Sequence, residues 1–305
     1  MSNPALVIAA ILTLTPFLAA AFFPGSLARL ADRIPLPARL FCPATLSIPY
    51  LLVALPSGIF CWQWFALYIA LPVLVSMLLW QAGRADPVQR GNWRDFLVLT
   101  VIALAVDLRW FEHAWPARLI VFNKLLLLDA AIYGFLALRR LDGVGFDLRL
   151  RPRDIAIGLR EFLLYAPIAI PIGIALGFLH LHSAMPSLPR FAGTLLFTFF
   201  LIAVPEELFF RGWLQNLLER RCGRYPALFI TAALFGLSHW NKRAVHFNWR
   251  YVLLATLAGI FYGRAWRSER RVVISERRGA VSDRRVAASA ITHASVDTVW
   301  AIWLR

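Results

Sequence analysis

The chain has 305 residues, 60% of them hydrophobic, with a mean hydropathy of +0.64 and a formal net charge of +15. A soluble domain is usually about 45–50% apolar, so this composition excludes an ordinary soluble globular protein. The positive charge does not argue for nucleic acid, because the arginines gather between apolar runs and no nucleic-acid motif accompanies them.

Apolar runs of bilayer length, roughly 20 residues, recur along the sequence. They predict spans near 4–24, 40–60, 62–81, 95–110, 117–138, 161–181, 191–218, 225–240, 250–266 and 286–303. The expected fold class is all-α, a polytopic transmembrane helical bundle of roughly eight to ten spans, since only helices or closed barrels satisfy their backbone in lipid. The first run, "PALVIAAILTLTPFLAA", has no basic residue ahead of it and is followed by more spans, so it reads as a retained helix. Pro49 and Pro56 interrupt the second run, and Asp107 and Arg109 stand near the end of the fourth. Cys42, Cys61 and Cys222 are scattered, with neither metal spacing nor a disulfide framework.

The arginine-rich stretches 139–154 and 267–285 follow the positive-inside pattern and are expected on the cytoplasmic face, as is 219–224. The stretch 182–189 has no Arg or Lys and falls outside. Residues 1–155 are read as N-terminal transmembrane helices without an assigned role, and 156–305 as a helical core carrying the basic cytoplasmic loop 267–285. In that loop "SERRVVI", "SERRGAV" and "SDRRVAA" repeat every seven residues from Ser268 to Ala288. A solvated, duplicated linker is the plainer reading, and an arginine-striped helix on the headgroups is the alternative. The expected setting is an integral, multi-pass membrane location, a bacterial inner membrane by preference. Anionic lipid headgroups are the expected partners of the basic loops, and nucleic acid is not.

An ionisable group inside a span costs about 2.5–3.5 kcal/mol on insertion scales and is rarely idle. Here such groups concentrate in the last third: Glu206, Glu207 and Arg211 in "EELFFR", His239 closing "FGLSHW", and His293 and Asp297 in "THASVD". Glu207 and Arg211 are four apart, in the favourable order for a helical ion pair. Glu206 is turned about 100° from Glu207 on the helix and is left as the better candidate base. Pro205, just ahead of the pair, removes a backbone hydrogen bond and opens the helix. Phe235 lies one turn before His239 and suits an aromatic wall beside an imidazole. Asp297 stands one turn after His293, where a carboxylate orients or charges a ring. One glutamate and two histidines on three spans serve either of two chemistries. They can hold a water between base and imidazole, or they can ligate zinc, although no H-E-x-x-H is present.

Three motifs in order, "EELFFR", "FGLSH" and "HASVD", resemble those of the CPBP family of intramembrane proteases, which includes the CAAX-processing endopeptidases and bacterial Abi proteins. The resemblance covers about 110 residues, from near 191 to 303, and makes 156–305 a CPBP-like catalytic core. It implies that Glu206 activates water with His239, that His293 and Asp297 form the oxyanion side, and that Glu207, Arg211 and Phe235 give structural support. It also implies a metal-free mechanism, with no cofactor. Asp297 departs from the Asn of the CAAX endopeptidases, and an ionised Asp cannot donate to an oxyanion. The expected function is an intramembrane endopeptidase that cleaves a membrane-attached protein or peptide substrate by glutamate-activated water. The alternatives are a non-catalytic immunity or scaffold relative, a zinc-dependent variant of the protease, and a transporter or proton relay.

Overall fold

The computed structural model describes residues 4–183, 185–242, 246–267 and 284–304. These residues are helical with no strand among them, so the all-α class holds. Most of the seven-residue repeat at 268–288 lies outside the described residues. The chain forms two compact units, Met1–Asp142 and Gly143–Arg305.

The first unit contains α1 (Pro4–Phe22), α2 (Ser26–Ala31), α3 (Leu36–Ala54), α4 (Trp62–Ala85), α5 (Trp93–Asp107) and α6 (Ala117–Leu138). Its interior holds a polar chain inside an aromatic cluster. Tyr50 stacks on Tyr68 with centroids 5.3 Å apart, the Trp115 indole donates to the Tyr68 hydroxyl at 2.6 Å, and that hydroxyl donates to Asn123 at 3.3 Å. Buried phenol and indole groups need such partners, because an unpaired donor costs about 1–3 kcal/mol. At one end of the unit the buried Arg139 binds Asp95 at 2.9 Å and Asp86 at 2.7 Å. Asp95 also closes the capping box that starts α5 from Asn92.

The second unit contains α7 (Pro152–Ala175), α8 (Leu188–Cys222), α9 (Arg224–Leu237), α10 (Trp249–Trp266) and α11 (Val286–Trp303). The span expected at 161–181 starts earlier than its apolar run. Pro152 sits in the first turn with φ already helical, and the Asp154 carboxylate accepts the Arg151 N–H at 3.0 Å. It ends earlier too, because Gly177 adopts φ +63° just past the last turn, a conformation that only glycine takes without strain. α9 and α10 are the most closely packed pair, and glycine makes this possible. A Cβ on Gly259 would lie 2.9 Å from the Ala232 Cα, and one on Gly236 would lie 2.6 Å from the Val252 carbonyl.

Six of the described helices are long and apolar enough to cross a membrane: α1, α3, α4, α6, α7 and α8. Eight to ten were expected. α5 has 15 residues and α9 has 14, short of a bilayer at about 1.5 Å per residue. α10 carries Arg250 and Arg264, and α11 carries His293 and Asp297, which lowers their mean hydropathy. The outer faces remain apolar: Ile11, Leu163, Leu196 and Phe229 are all more than half exposed, as lipid-facing positions are.

The ends of α10 and α11 are tied together. The Arg285 N–H donates to the Trp266 carbonyl at 3.0 Å, and Arg284 and Arg267 both reach Glu219, at 2.8 and 3.4 Å. Arg285 also binds Asp154 at 2.7 Å and Asp147 at 2.9 Å. Burial on its own raises the Asp147 carboxyl, but hydrogen bonds from Arg149 and Arg285 outweigh it and pull it down to about 2. The unfolded value is about 3.9, so this pairing contributes stability above that pH and loses it as the pH falls toward the folded value. Asp147→Asn is expected to lower the thermal midpoint of the detergent-extracted protein at neutral pH. The gap to the parent should close as the pH is taken from about 5 to about 2; a gap that stays constant counts against the assignment.

Candidate active site

The first motif lies where α8 changes its winding. Pro205 has no N–H to donate, and its ring crowds the carbonyl four residues back. The helix accommodates it with π-helical turns at Phe199–Ala203 and Leu208–Gln215, which leave a single α turn, Val204–Glu207, between them. Turns of this kind recur at functional sites.

Glu207 and Arg211 pair at 2.9 Å, both side chains at 0% exposure. The Arg211 guanidinium lies 4.6 Å over the Phe235 ring and 5.2 Å over the Tyr262 ring, and it donates to the Gly259 carbonyl at 3.1 Å. Glu207 gathers two further donors from α11: His293 through Nδ1 at 2.8 Å, and the Ser289 hydroxyl. Ser289 also reaches the Tyr262 carbonyl at 2.9 Å. The carboxylate therefore has a partner on each side, which is what a buried charge requires.

With Nδ1 committed to Glu207, the other nitrogen of His293 faces the remaining two acids. Its Nε2 is 3.5 Å from Asp297 and 3.9 Å from Glu206. These two side chains are 27% and 29% exposed, so they can meet water while Glu207 cannot. The buried His239 sits in the turn that follows α9 and contacts the Phe235 carbonyl through Nδ1 at 2.8 Å. A carbonyl only accepts, so Nδ1 carries the proton, and in the neutral ring Nε2 keeps its lone pair. The Phe235 ring joins the two imidazoles, with centroids 5.0 Å from His239 and 5.6 Å from His293.

His239, His293 and Asp297 stand in the wall of one cavity of about 70 Å³. At roughly 10–15 Å³ per water-sized probe this is room for a few waters. The remainder of the wall is apolar and aromatic, with contributions from α7, α10 and α11, including Phe162, Ala169 and Trp300. The arrangement has the parts for water activation: an accessible carboxylate, an imidazole lone pair, and a second imidazole held between acids. Among the described residues, no three His, Cys, Asp or Glu side chains are gathered as a metal site.

Three residues of this cluster escaped the reading of the motifs. Ser289 anchors Glu207, Tyr262 stacks on His293 at 4.6 Å, and Tyr251 packs 4.7 Å from His239. A signal existed for Ser289, which stands four residues before His293 and therefore continues the stripe 289–293–297. None existed for the tyrosines, which come from α10, an element without a motif.

The buried ion pair gives a stability test. Glu207→Gln leaves Arg211 charged in an apolar surround and is expected to cost about 3–5 kcal/mol. Replacing both, Glu207→Gln with Arg211→Met, should recover part of that loss in thermal unfolding in detergent. A Glu207→Gln protein as stable as the parent would contradict the burial of this charge.

Residues 188–299 match the family model described as type II CAAX prenyl endopeptidase, Rce1-like. No curated protein and no solved structure matches the chain. The matched stretch contains all three motifs, so the resemblance read from them is borne out over this stretch, which is similar to the Rce1-like type II CAAX prenyl endopeptidases.

Proposed function

We propose that the protein is an intramembrane endopeptidase that hydrolyses a peptide bond of a membrane-attached substrate through a glutamate-activated water. One observation carries the reading: His239 and, distant from it in sequence, His293 and Asp297 share the wall of one cavity with room for a few waters, and the Glu206 carboxylate lies 3.9 Å from the His293 Nε2. The likeness of residues 188–299 to type II CAAX prenyl endopeptidases supports the reaction class.

In this reading Glu206 takes a proton from a water whose second hydrogen-bond partner is the Nε2 lone pair of His239. The water oxygen bonds to the substrate carbonyl carbon, and the carbonyl π electrons move to its oxygen. His293, held between Glu207 and Asp297, supplies positive charge beside that oxyanion. Collapse of the intermediate re-forms the carbonyl and expels the amine, which takes the proton from Glu206. Glu207 and Arg211 fix the imidazole and the helix. The basic loops lie on the cytoplasmic face against anionic headgroups, and α9 to α11 complete the membrane-embedded bundle.

Glu206→Gln should leave expression and membrane insertion unchanged while lowering cleavage by roughly 10²–10⁴-fold, the usual worth of a general base. The assay is quantitative mass spectrometry of C-terminal fragments in membranes with and without the intact gene. Chelator treatment should not change those fragments. Fragments that persist in Glu206→Gln would overturn the mechanism, and fragments lost with chelator would favour the zinc variant. An unaltered cellular role without any fragment would favour a scaffold.

A further inference from the structure

The oxyanion side of this site is short of donors. Asp297, when ionised, only accepts hydrogen bonds. The Nδ1 proton of His293 is held by Glu207 at 2.8 Å, which leaves one N–H, at Nε2, with two carboxylates 3.5 and 3.9 Å away. Acyl-transfer sites stabilise the oxyanion with more than one preorganised donor.

The cavity wall offers three phenols: Tyr165, Tyr251 and Tyr262. Tyr251 packs against His239, on the side assigned to the water. Tyr262 is locked in place, stacked on His293 and lying beneath Arg211, with its carbonyl held by Ser289. Tyr165 differs from both. It projects from α7, outside the family-matched stretch, and is 8% exposed. Among the described residues its hydroxyl donates to the Leu254 carbonyl alone, at 3.5 Å, the outer limit of a hydrogen bond, so a stronger acceptor can claim it. Tyr165 stands with Asp297 in the wall of the same cavity. Its neighbours in the wall, Phe162, Ala166 and Ala169, have no side-chain donor.

We propose that Tyr165 is a catalytic residue that donates its phenolic hydrogen to the substrate oxyanion, in place of the amide that Asp297 lacks. The proposal rests on the hydrolytic reading above. A neutral phenol keeps its proton throughout: the hydrogen bond strengthens as the carbonyl oxygen gains charge and relaxes when the carbonyl re-forms.

The test uses the full-length protein in membranes and the initial rate at which Glu206-dependent fragments appear. Tyr165→Phe keeps the ring in the apolar wall and should leave the protein level and thermal midpoint unchanged. It should slow fragment formation by roughly 10²-fold, as loss of one oxyanion donor does. Asp297→Asn restores an amide donor, so in that background the same Tyr165→Phe change should cost less than about 5-fold. A Tyr165→Phe rate within about threefold of the parent overturns the proposal, as does a loss of equal size in both backgrounds. It also fails if Tyr262→Phe, rather than Tyr165→Phe, carries the loss that Asp297→Asn relieves. Fragments indifferent to Glu206→Gln, or no fragments at all, remove the hydrolytic reading and this proposal with it. Fragments that need Glu206 but not Tyr165 remove only this one.

Discussion

A guanidinium sealed in an apolar bundle dictates the geometry of the second unit. Arg211 has no contact with solvent, and moving such a charge out of water costs several kcal/mol unless it is paired and hydrogen-bonded. Glu207, the Gly259 carbonyl and the faces of Phe235 and Tyr262 meet that cost from α8, α9 and α10. Once Glu207 is fixed by Arg211, it fixes His293 and Ser289 on α11. Four helices are thus held in register by one charge, and the His293 imidazole is aimed as a by-product. The close approach of α9 and α10 at Gly259 is part of the same arrangement, because the carbonyl that Arg211 uses belongs to that residue.

Two adjacent glutamates consequently have different characters. Glu207 is spent on structure, with every side engaged. Glu206 projects toward the partly wet region that also holds Asp297. The same turn of α8 thus carries one acid built into a rigid polar island and one at its wetter edge. The surrounding wall of alanine, phenylalanine and leucine strengthens every electrostatic interaction within it, because the local dielectric is low.

The sequence reveals the membrane character and the three motifs directly, because polar residues are conspicuous against apolar runs and their spacings of four are helical. Glu207–Arg211 and His293–Asp297 could be written down from spacing alone. What spacing does not reveal is which residues meet between helices. Tyr262 reaches the site by packing of α10 against α11, and no local pattern encodes that; Ser289 continues the stripe of His293 and Asp297, but its bond to Glu207 depends on how α8 meets α11. Helix bounds failed where polar residues begin a helix: Asp154 belongs to the first turn of α7 although it reads as loop. The span count differed because α5 and α9 are short and because the polar and charged residues of α10 and α11 lower their hydropathy, even though each of the latter two has the 18 residues of a long helix.

The wide turns on either side of Val204–Glu207 carry a further consequence. A π turn holds one residue more than the α turn it replaces, so each acts as an angular offset along α8. Everything beyond the first offset, the acid pair included, is rotated relative to the lipid-facing stripe at the start of the helix. The two glutamates thereby point inward without any twist of the whole rod. Such an offset lets the lipid-facing start of α8 and its charged, buried stretch each keep its own face on one continuous helix.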